Sequence, residues 1–312
     1  MTSGGAIRSD DIAAAAQLAC LLEVSAPKPG NISPGRHFGD TRYEHFLASA
    51  AAIGTAIAEA GQSRVGSIVR RAVETTRRWS TSNTNLGIVL LFAPIAVAAA
   101  RSATDASSPN LHATTVLRDA VRGVLDATSV EDAAEVYAAI RLATPGGLGR
   151  ADAQDVSETP TMTLRDVMRL AAERDGIARE YASAFATTFE IGVPSLMRAR
   201  HDNLAWDDAV VETFLTLLAA APDTHIARRG GAEAAADVSR LAVEVIGAGG
   251  VRSARGRDAL QRMDAALRDP RNVRNPGTTA DLTAAAIFVA ILCGAWHSST
   301  VEAAGRDSRR RS

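Results

Sequence analysis

Leu86-Gly-Ile-Val-Leu-Leu-Phe-Ala-Pro-Ile-Ala-Val-Ala-Ala-Ala100 is the longest strongly apolar run in this 312-residue chain, and the architecture follows from what it is built for. It falls short of the roughly 20 apolar residues that a bilayer span needs, and Pro94 interrupts it. It therefore reads as a helix buried in a protein core, and no membrane partner is expected. The rest of the chain has the same character. Hydrophobic residues make up 46% of the sequence, mostly alanine with leucine, valine and isoleucine, while aromatics supply only 4%. Alanine is the best helix former and lets helix axes approach closely, so such a core favours packed helices. No segment alternates polar and apolar residues as a half-buried strand would, and no fixed-period repeat is present. The expectation is an all-α protein: a single compact multi-helix domain over residues 10–302, a flexible tail at 1–9 and a charged, disordered tail at 303–312.

Upstream of that run, Ser25-Ala-Pro-Lys-Pro-Gly-Asn31 breaks a helical pattern and presents one charged side chain on a stiff backbone. Two prolines fix φ on either side of Lys28, and Gly30 permits close approach of the chain to a ligand. Lys28 is the only lysine; every other member of the 34 Lys plus Arg is arginine. A lysine in so arginine-biased a chain suggests chemistry that a guanidinium does not perform, such as meeting a phosphate as a point charge. Equally, the segment reads as a proline-rich turn with a solvated lysine. Asp10 or Asp11 is expected to cap the helix before it. Glu23 sits in that helix's last turn, where a carboxylate opposes the helix dipole.

Further helices are expected at about 43–60, 65–79, 86–100, 111–127, 129–142, 163–189, 194–200, 206–221, 232–247, 256–268 and 282–296. Polar residues concentrate between them, in connections at 23–40, 80–87, 144–158, 223–231 and 275–281. Five polar loops separated by plain apolar helices suggest one shared cleft.

The net charge of -1 offers no global field for nucleic acid. Cys20 and Cys293 lie in apolar helix-like runs without metal-ligand spacing, and Met1 to Asp10 lack the features of a signal peptide, so a cytoplasmic protein with free thiols is expected. Phosphate loops of the Walker type, dinucleotide-binding glycine fingerprints and zinc motifs are all missing from the sequence. Arg228-Arg229-Gly230-Gly231 before a helix combines guanidinium groups with free backbone N–H groups, which suits a polyphosphate or a plain surface turn. Asp223 and His225 lie beside it. Asp281 follows Thr278 at the spacing of a capping box. His37 with Asp40 reads as a proton-exchanging or metal-binding pair or as solvated loop. Asn83 and Asn85 suit sugar contacts, with helix capping the simpler role for one of them. Asp175 and Arg179 read as a surface ion pair.

Taken together, Glu23-Val-Ser-Ala-Pro-Lys-Pro-Gly-Asn31, Asn83-Thr-Asn-Leu-Gly87, Asp223-Thr-His225 with Arg228-Arg-Gly230, and Pro276-Gly-Thr-Thr-Ala-Asp-Leu282 resemble the triphosphoribosyl-dephospho-CoA synthase family, in the family's order and across most of the chain. The resemblance implies an all-helical transferase that moves the triphosphoribosyl group of ATP to the 2'-hydroxyl of 3'-dephospho-CoA and releases adenine. Such chemistry needs carboxylates beside an oxocarbenium-like ribose and cations beside the triphosphate. By that resemblance Glu23, Lys28, Asp223 and Asp281 are the catalytic candidates. Gly30, Asn31, His37, Asn83, Asn85, His225, Arg228 and Arg229 are the candidate substrate contacts, with Lys28, Arg228 and Arg229 on the triphosphate. Asp223 and Asp281 would hold Mg²⁺ through the nucleotide.

The chain departs from the citrate-lyase members of the family: Gly35-Arg-His-Phe-Gly-Asp40 replaces an Asn-x-Gly-Ala-His-x-Asp-Met segment, and Asn83-Thr-Asn-Leu-Gly87 lacks a histidine and a lysine of theirs. Both changes remove positive charge. They leave two alternatives beside the family reaction: (phospho)ribosyl transfer or another nucleotide-dependent step in the synthesis of a pterin-type, tetrahydromethanopterin-like cofactor, and a helical ligand-binding protein without catalysis. Apolar helix faces would permit a homodimer.

Overall fold

The computed structural model describes residues 7–104 and 114–295, among which the regular structure is all helical. In order these elements are α1 (Ser9–Ser25), α2 (Tyr43–Ala52), α3 (Gly54–Ile57), α4 (Val65–Arg77), α5 (Leu86–Thr104), α6 (Thr114–Asp126), α7 (Val130–Ala143), α8 (Leu164–Ala171) and α9 (Gly176–Ser183). A π-helical turn (Thr188–Gly192), α10 (Val193–His201), α11 (Trp206–Ala220), α12 (Thr224–Gly230), α13 (Ala232–Gly247), a 3₁₀ turn (Gly250–Arg252), α14 (Ala254–Leu267) and α15 (Gly277–Leu292) follow. Most of the expected first tail, all of the second, and the expected helix ends at Leu111 and Trp296 lie outside the described residues. Helix α1 begins one residue before Asp10, with Arg8 at its cap, so Asp10 and Asp11 serve in the first turn instead.

Two helices form the centre, and both are apolar on every side, as burial all round requires. From Ile88 to Ala100 every side chain of α5 is buried, and α15 is buried from Leu282 to Leu292. They meet through Phe92 and Phe288, whose ring centroids are 4.5 Å apart. Helix α1 packs on α15, α4 and α6 both pack on α5, and α7 packs on α4. No helix among the described residues is long and apolar enough to cross a membrane.

Pro94 stands inside α5 and has no N–H to give the carbonyl of Leu90 one turn earlier. That acceptor would be orphaned in the core. Fully buried Tyr181 fills the gap from α9, donating its hydroxyl to the Leu90 carbonyl at 2.7 Å. The proline thus fixes where α9 docks on α5, and with it one wall of the cavity described below.

The expected continuous helix over 163–189 is broken twice. Asp175 caps α9, its Oδ1 accepting from the N–H groups of Ile177 and Ala178. After α9, Ala184 and Phe185 both take positive φ, and the carboxylate of buried Glu180 accepts from Thr187 and Thr188 N–H to start the π-helical turn. The expected polar connection at 223–231 is likewise helical, being α12 with Asp223 at its cap.

Tyr181→Phe should cost about 1–3 kcal/mol in urea unfolding, because it leaves a buried carbonyl without a donor. A change below about 0.5 kcal/mol would show that Leu90 finds another partner.

Candidate active site

Helix α1 ends in a carboxylate at the wrong end of its dipole, and Lys28 explains how that is tolerated. The Lys28 ammonium lies 3.0 Å from Glu23 Oε1 and donates to the carbonyls of Glu23 and Ala26, the latter at 3.3 Å. It therefore caps the helix C-terminus and neutralises the carboxylate together. Both side chains are buried, Lys28 at 1% exposure. A compact ammonium on a flexible stem suits this enclosed spot better than a planar guanidinium. Lys28 is consequently not presented to a triphosphate, as the sequence suggested; it lies behind Glu23 with its donors in use.

Gly30, expected near the ligand, is a packing residue. Its φ is +75°, and a side-chain carbon there would lie 2.9 Å from Leu267 Cβ and 3.2 Å from Pro276. Asp264 on α14 holds the loop, accepting from Gly30 N at 2.9 Å and from Arg36 and Arg268, while Arg268 also donates to the Asn31 carbonyl. Asn31 is thereby fixed, its amide donating to Asn275 Oδ1 at 2.5 Å.

Asp223 is also a clamp. Its Oδ1 accepts from His225 N and Ile226 N, and its Oδ2 from Thr279 N and Oγ1, both at 2.7 Å. Burial pushes its pKa up, against four hydrogen bonds that pull it down. With four donors on its two oxygens, it ties α12 to α15 and does not stand open toward a ligand as the sequence suggested. Among the described residues no group of three or more His, Cys, Asp or Glu side chains is placed to hold a metal ion. The donor set does not fit a resident Mg²⁺.

Asp281 is different. Helix α15 is capped at Pro276 without a side-chain bond, so the expected capping box does not form. Instead Asp281 points at α5, where a side-chain carbon on Gly87 would lie 2.0 Å from its Oδ2. It has no hydrogen-bond or ion-pair partner among the described residues. Burial, then the nearby charges of Glu23 and Asp223, raise its pKa well above the ordinary carboxylate value. Burial raises Glu23 as well, but Lys28 offsets part of the rise.

Two adjoining cavities meet at this carboxylate. The larger, about 490 Å³, is walled by α5, α7, α8, α9 and the 145–156 loop, mainly with apolar side chains such as Leu90, Ile140, Met168 and Ile177. Arg174, Asp152 and the Arg228–Asp175 ion pair supply further charge. The smaller, about 120 Å³, is mixed, with Glu23, Asn31, Asn85 and Asn275 on its polar side and Ile32, Phe38 and Phe46 among its apolar lining. Asn83, Gly87, His225 and Asp281 border both. Asn83 Oδ1 also accepts from Leu86 N, capping α5, and Asn85 donates to Thr76 Oγ1 at 2.9 Å. His225 packs against Gly277, with Arg229 Nη1 3.4 Å from its Nε2. Burial, with Arg228 and Arg229 close by, takes the imidazole pKa down to about 4, so it is neutral at pH 7.

Two expected contacts lie elsewhere. Arg229 is exposed and donates to the carbonyls of Arg271 and Asn272, and His37 accepts from Tyr43 N at the start of α2. Neither lines either of these two cavities. Conversely, Gly87, Arg174 and Asp175 were not among the expected site residues. Asp175 is no partner of Arg179; it pairs with Arg228, and its position before Gly176 carries the cap signature that would have revealed the helix start.

Lys28→Met should cost about 3–5 kcal/mol by stranding a buried carboxylate, and adding Glu23→Gln should recover most of it in urea unfolding. Additive losses would contradict the pairing. His225 has a folded pKa below its usual 6.5, so its contribution to stability is complete above that pH and is lost as pH falls toward about 4. Between pH 7 and pH 5 the wild type should lose about 1–2 kcal/mol more than His225→Gln, allowing for partial exposure. Equal losses would show that the ring is not held neutral.

The model of the ATP:dephospho-CoA triphosphoribosyl transferase family matches residues 9–300. A 2-(5''-triphosphoribosyl)-3'-dephosphocoenzyme-A synthase of Pectobacterium atrosepticum is 37% identical over 109 residues, 35% of this chain. A protein of the same name from Klebsiella pneumoniae is 29% identical over 119 residues, 38% of this chain. The matched stretch spans only 34% of the first relative's length and 42% of the second's. A crystal structure from Archaeoglobus fulgidus, provisionally described as a triphosphoribosyl-dephospho-CoA synthase, superposes with a TM-score of 0.63 at 29% identity, covering 82% of this chain and 100% of that one. With its helices, motif order and nearly full-length match, the chain belongs to the ATP:dephospho-CoA triphosphoribosyl transferase family.

Proposed function

We propose that this protein transfers the triphosphoribosyl group of ATP to the 2'-hydroxyl of 3'-dephospho-CoA and releases adenine. One observation carries the reading: where a large apolar cavity meets a small one of mixed polarity, two carboxyl groups stand in unlike surroundings, Glu23 in an ion pair with a buried ammonium and Asp281 with no ion-pair partner among the described residues, Arg228 acting on it only from beyond ion-pair distance. Pairs of carboxyl groups pushed apart in this way divide the roles of acid and base.

In the proposed reaction the bond between ribose C1' and adenine N9 breaks as the acceptor oxygen bonds to C1'. The electron pair leaves on adenine, which takes a proton from neutral Asp281. The acceptor's hydroxyl proton passes to Glu23, whose negative charge also faces the positive charge that develops on the ribose. Proton exchange between the two carboxyl groups restores the starting state. Neutral His225 offers one nitrogen as a donor and the other as an acceptor to the ligand at the junction. Arg174 and Arg228 are the cations available to phosphate in the larger cavity. Mg²⁺ comes and goes with the triphosphate as part of the substrate.

The apolar wall of the larger cavity also favours a second reading, in which the ribosyl acceptor is a pterin-type ring system. Incubation with ATP, Mg²⁺ and dephospho-CoA should yield free adenine and a dephospho-CoA product heavier by one triphosphoribosyl group on mass spectrometry. Adenine release that appears only when a pterin precursor replaces dephospho-CoA would favour the second reading. No adenine with either would overturn both.

Asp281→Asn should lower turnover by about 10²–10⁴-fold with nucleotide binding little changed. The acid works only when protonated, so wild-type turnover should fall as pH rises through the raised pKa of Asp281, and the variant should lack that limb. A variant with full turnover would remove Asp281 from the mechanism.

A further inference from the structure

The two cavities hold different charged groups, and the proposed reaction gives those groups different partners. Arg174 and Arg228, the cations available to a triphosphate, line the larger cavity and not the smaller. Glu23, which takes the acceptor's hydroxyl proton, lines the smaller and not the larger. Asp281, which protonates the leaving base, borders both. A general base works only within hydrogen-bond reach of the proton it takes. The acceptor hydroxyl therefore arrives through the smaller cavity, and the donor nucleotide approaches from the larger.

The lining of the smaller cavity shows which part of an acceptor can bring that hydroxyl in. No arginine or lysine among the described residues lines it, and the ammonium of Lys28 behind Glu23 is sealed at 1% exposure with its donors in use. An uncharged group suits such a space and a phosphate does not. Half-buried Phe38 and Phe46 give it aromatic surface on which a flat ring stacks. Asn85 spends its amide nitrogen on Thr76 Oγ1, and Asn275 spends its Oδ1 on Asn31. Asn85 Oδ1 and the Asn275 amide nitrogen are left without a partner among the described residues, and neither is sealed as the Oδ1 of Asn31 is. One open acceptor and one open donor match an exocyclic amine beside a ring nitrogen, the pattern by which adenine is read. The volume of about 120 Å³ is close to the roughly 150 Å³ that holds a benzene ring, so one base fills it and the rest of the acceptor stays outside.

Resting on the dephospho-CoA reading above, we infer that the smaller cavity is the adenine site of the acceptor. Phe38 and Phe46 stack on the base, Asn85 and Asn275 bond its amine and a neighbouring ring nitrogen, and the attached ribose presents its 2'-hydroxyl to Glu23. The adenine that is released is the other one, that of ATP in the larger cavity.

Photolabelling of the wild-type protein separates the two sites. 2-Azido-3'-dephospho-CoA should label peptides that contain Phe38 or Phe46, and unmodified dephospho-CoA should suppress the labelling. 2-Azido-ATP should label the 145–156 loop or α8 instead. Kinetics should divide in the same way: Phe46→Ala raises the KM for dephospho-CoA about tenfold or more and leaves the KM for ATP within about twofold, whereas Phe46→Tyr, which keeps a ring, stays near wild type. The labelling stands even if Phe46→Ala does not fold. If the two probes label the reverse pattern or the same peptides, or if folded Phe46→Ala keeps the acceptor's KM, the adenine site is wrong while the nucleotide reading survives. The same holds if the wild type binds ATP but not dephospho-CoA. If ATP itself does not bind, the nucleotide reading falls and this inference falls with it.

Discussion

The buried pair of Lys28 and Glu23 is the contact on which the site depends. A carboxylate at the C-terminus of a helix, enclosed by protein, is unfavourable twice over, once for the dipole and once for desolvation. One ammonium answers both by bonding the last carbonyls and the carboxylate together. The segment that delivers it has little freedom: prolines flank the lysine, and Gly30 turns the chain against Leu267 and Pro276. Asp264 and Arg268 then tie the segment to α14, more than two hundred residues further along.

A second set of bonds brings the remaining groups to the same place. Asp223 joins the start of α12 to the first turn of α15 through its two oxygens, and Thr224 and Thr278 share a hydrogen bond at 3.0 Å beside it. His225 and Asp281, one from each helix, are therefore held at the junction of the cavities. Gly87 completes it, since α5 can pass Asp281 only where no side chain intervenes. The chemistry of the site follows from unequal treatment of like groups: Asp223 receives four donors, Glu23 a direct ion pair, and Asp281 neither, with only the more distant charge of Arg228 to favour its ionised form.

The sequence displays the helices clearly because alanine-rich, apolar runs leave few other structures available. It hides the interruptions, which depend on tertiary partners. Nothing near Ser183 announces that Glu180 will accept from Thr187 and Thr188 and bend the chain, and Asp223 looks like a loop residue until its cap bonds to α12 are seen. At the site, Glu23, Asn31, Asn83, Asn85, His225, Arg228 and Asp281 do gather at the cavities as their polar loops suggested. Lys28 and Asp223 read as reactive because charged residues in polar segments usually face a ligand. Burial shows them facing other protein groups. Arg229 and His37 were drawn in by their neighbours in sequence, yet side chains one or two positions apart on a helix or turn face different directions. Asp175 shows the converse, since its partner Arg228 is distant in sequence while the side chain of the neighbouring Arg179 is not paired with it.

The central claim is that Asp281 keeps its proton to higher pH than Glu23 because only Glu23 is in direct ion pair with a cation, while Arg228 acts on Asp281 from beyond ion-pair distance. A carbon-13 NMR titration of the two side-chain carboxyl groups in the resting protein tests it directly. The account predicts that, as pH is raised, Glu23 ionises first and Asp281 later, well above the ordinary carboxylate range. Ionisation of Asp281 within that range, or before Glu23, would contradict it.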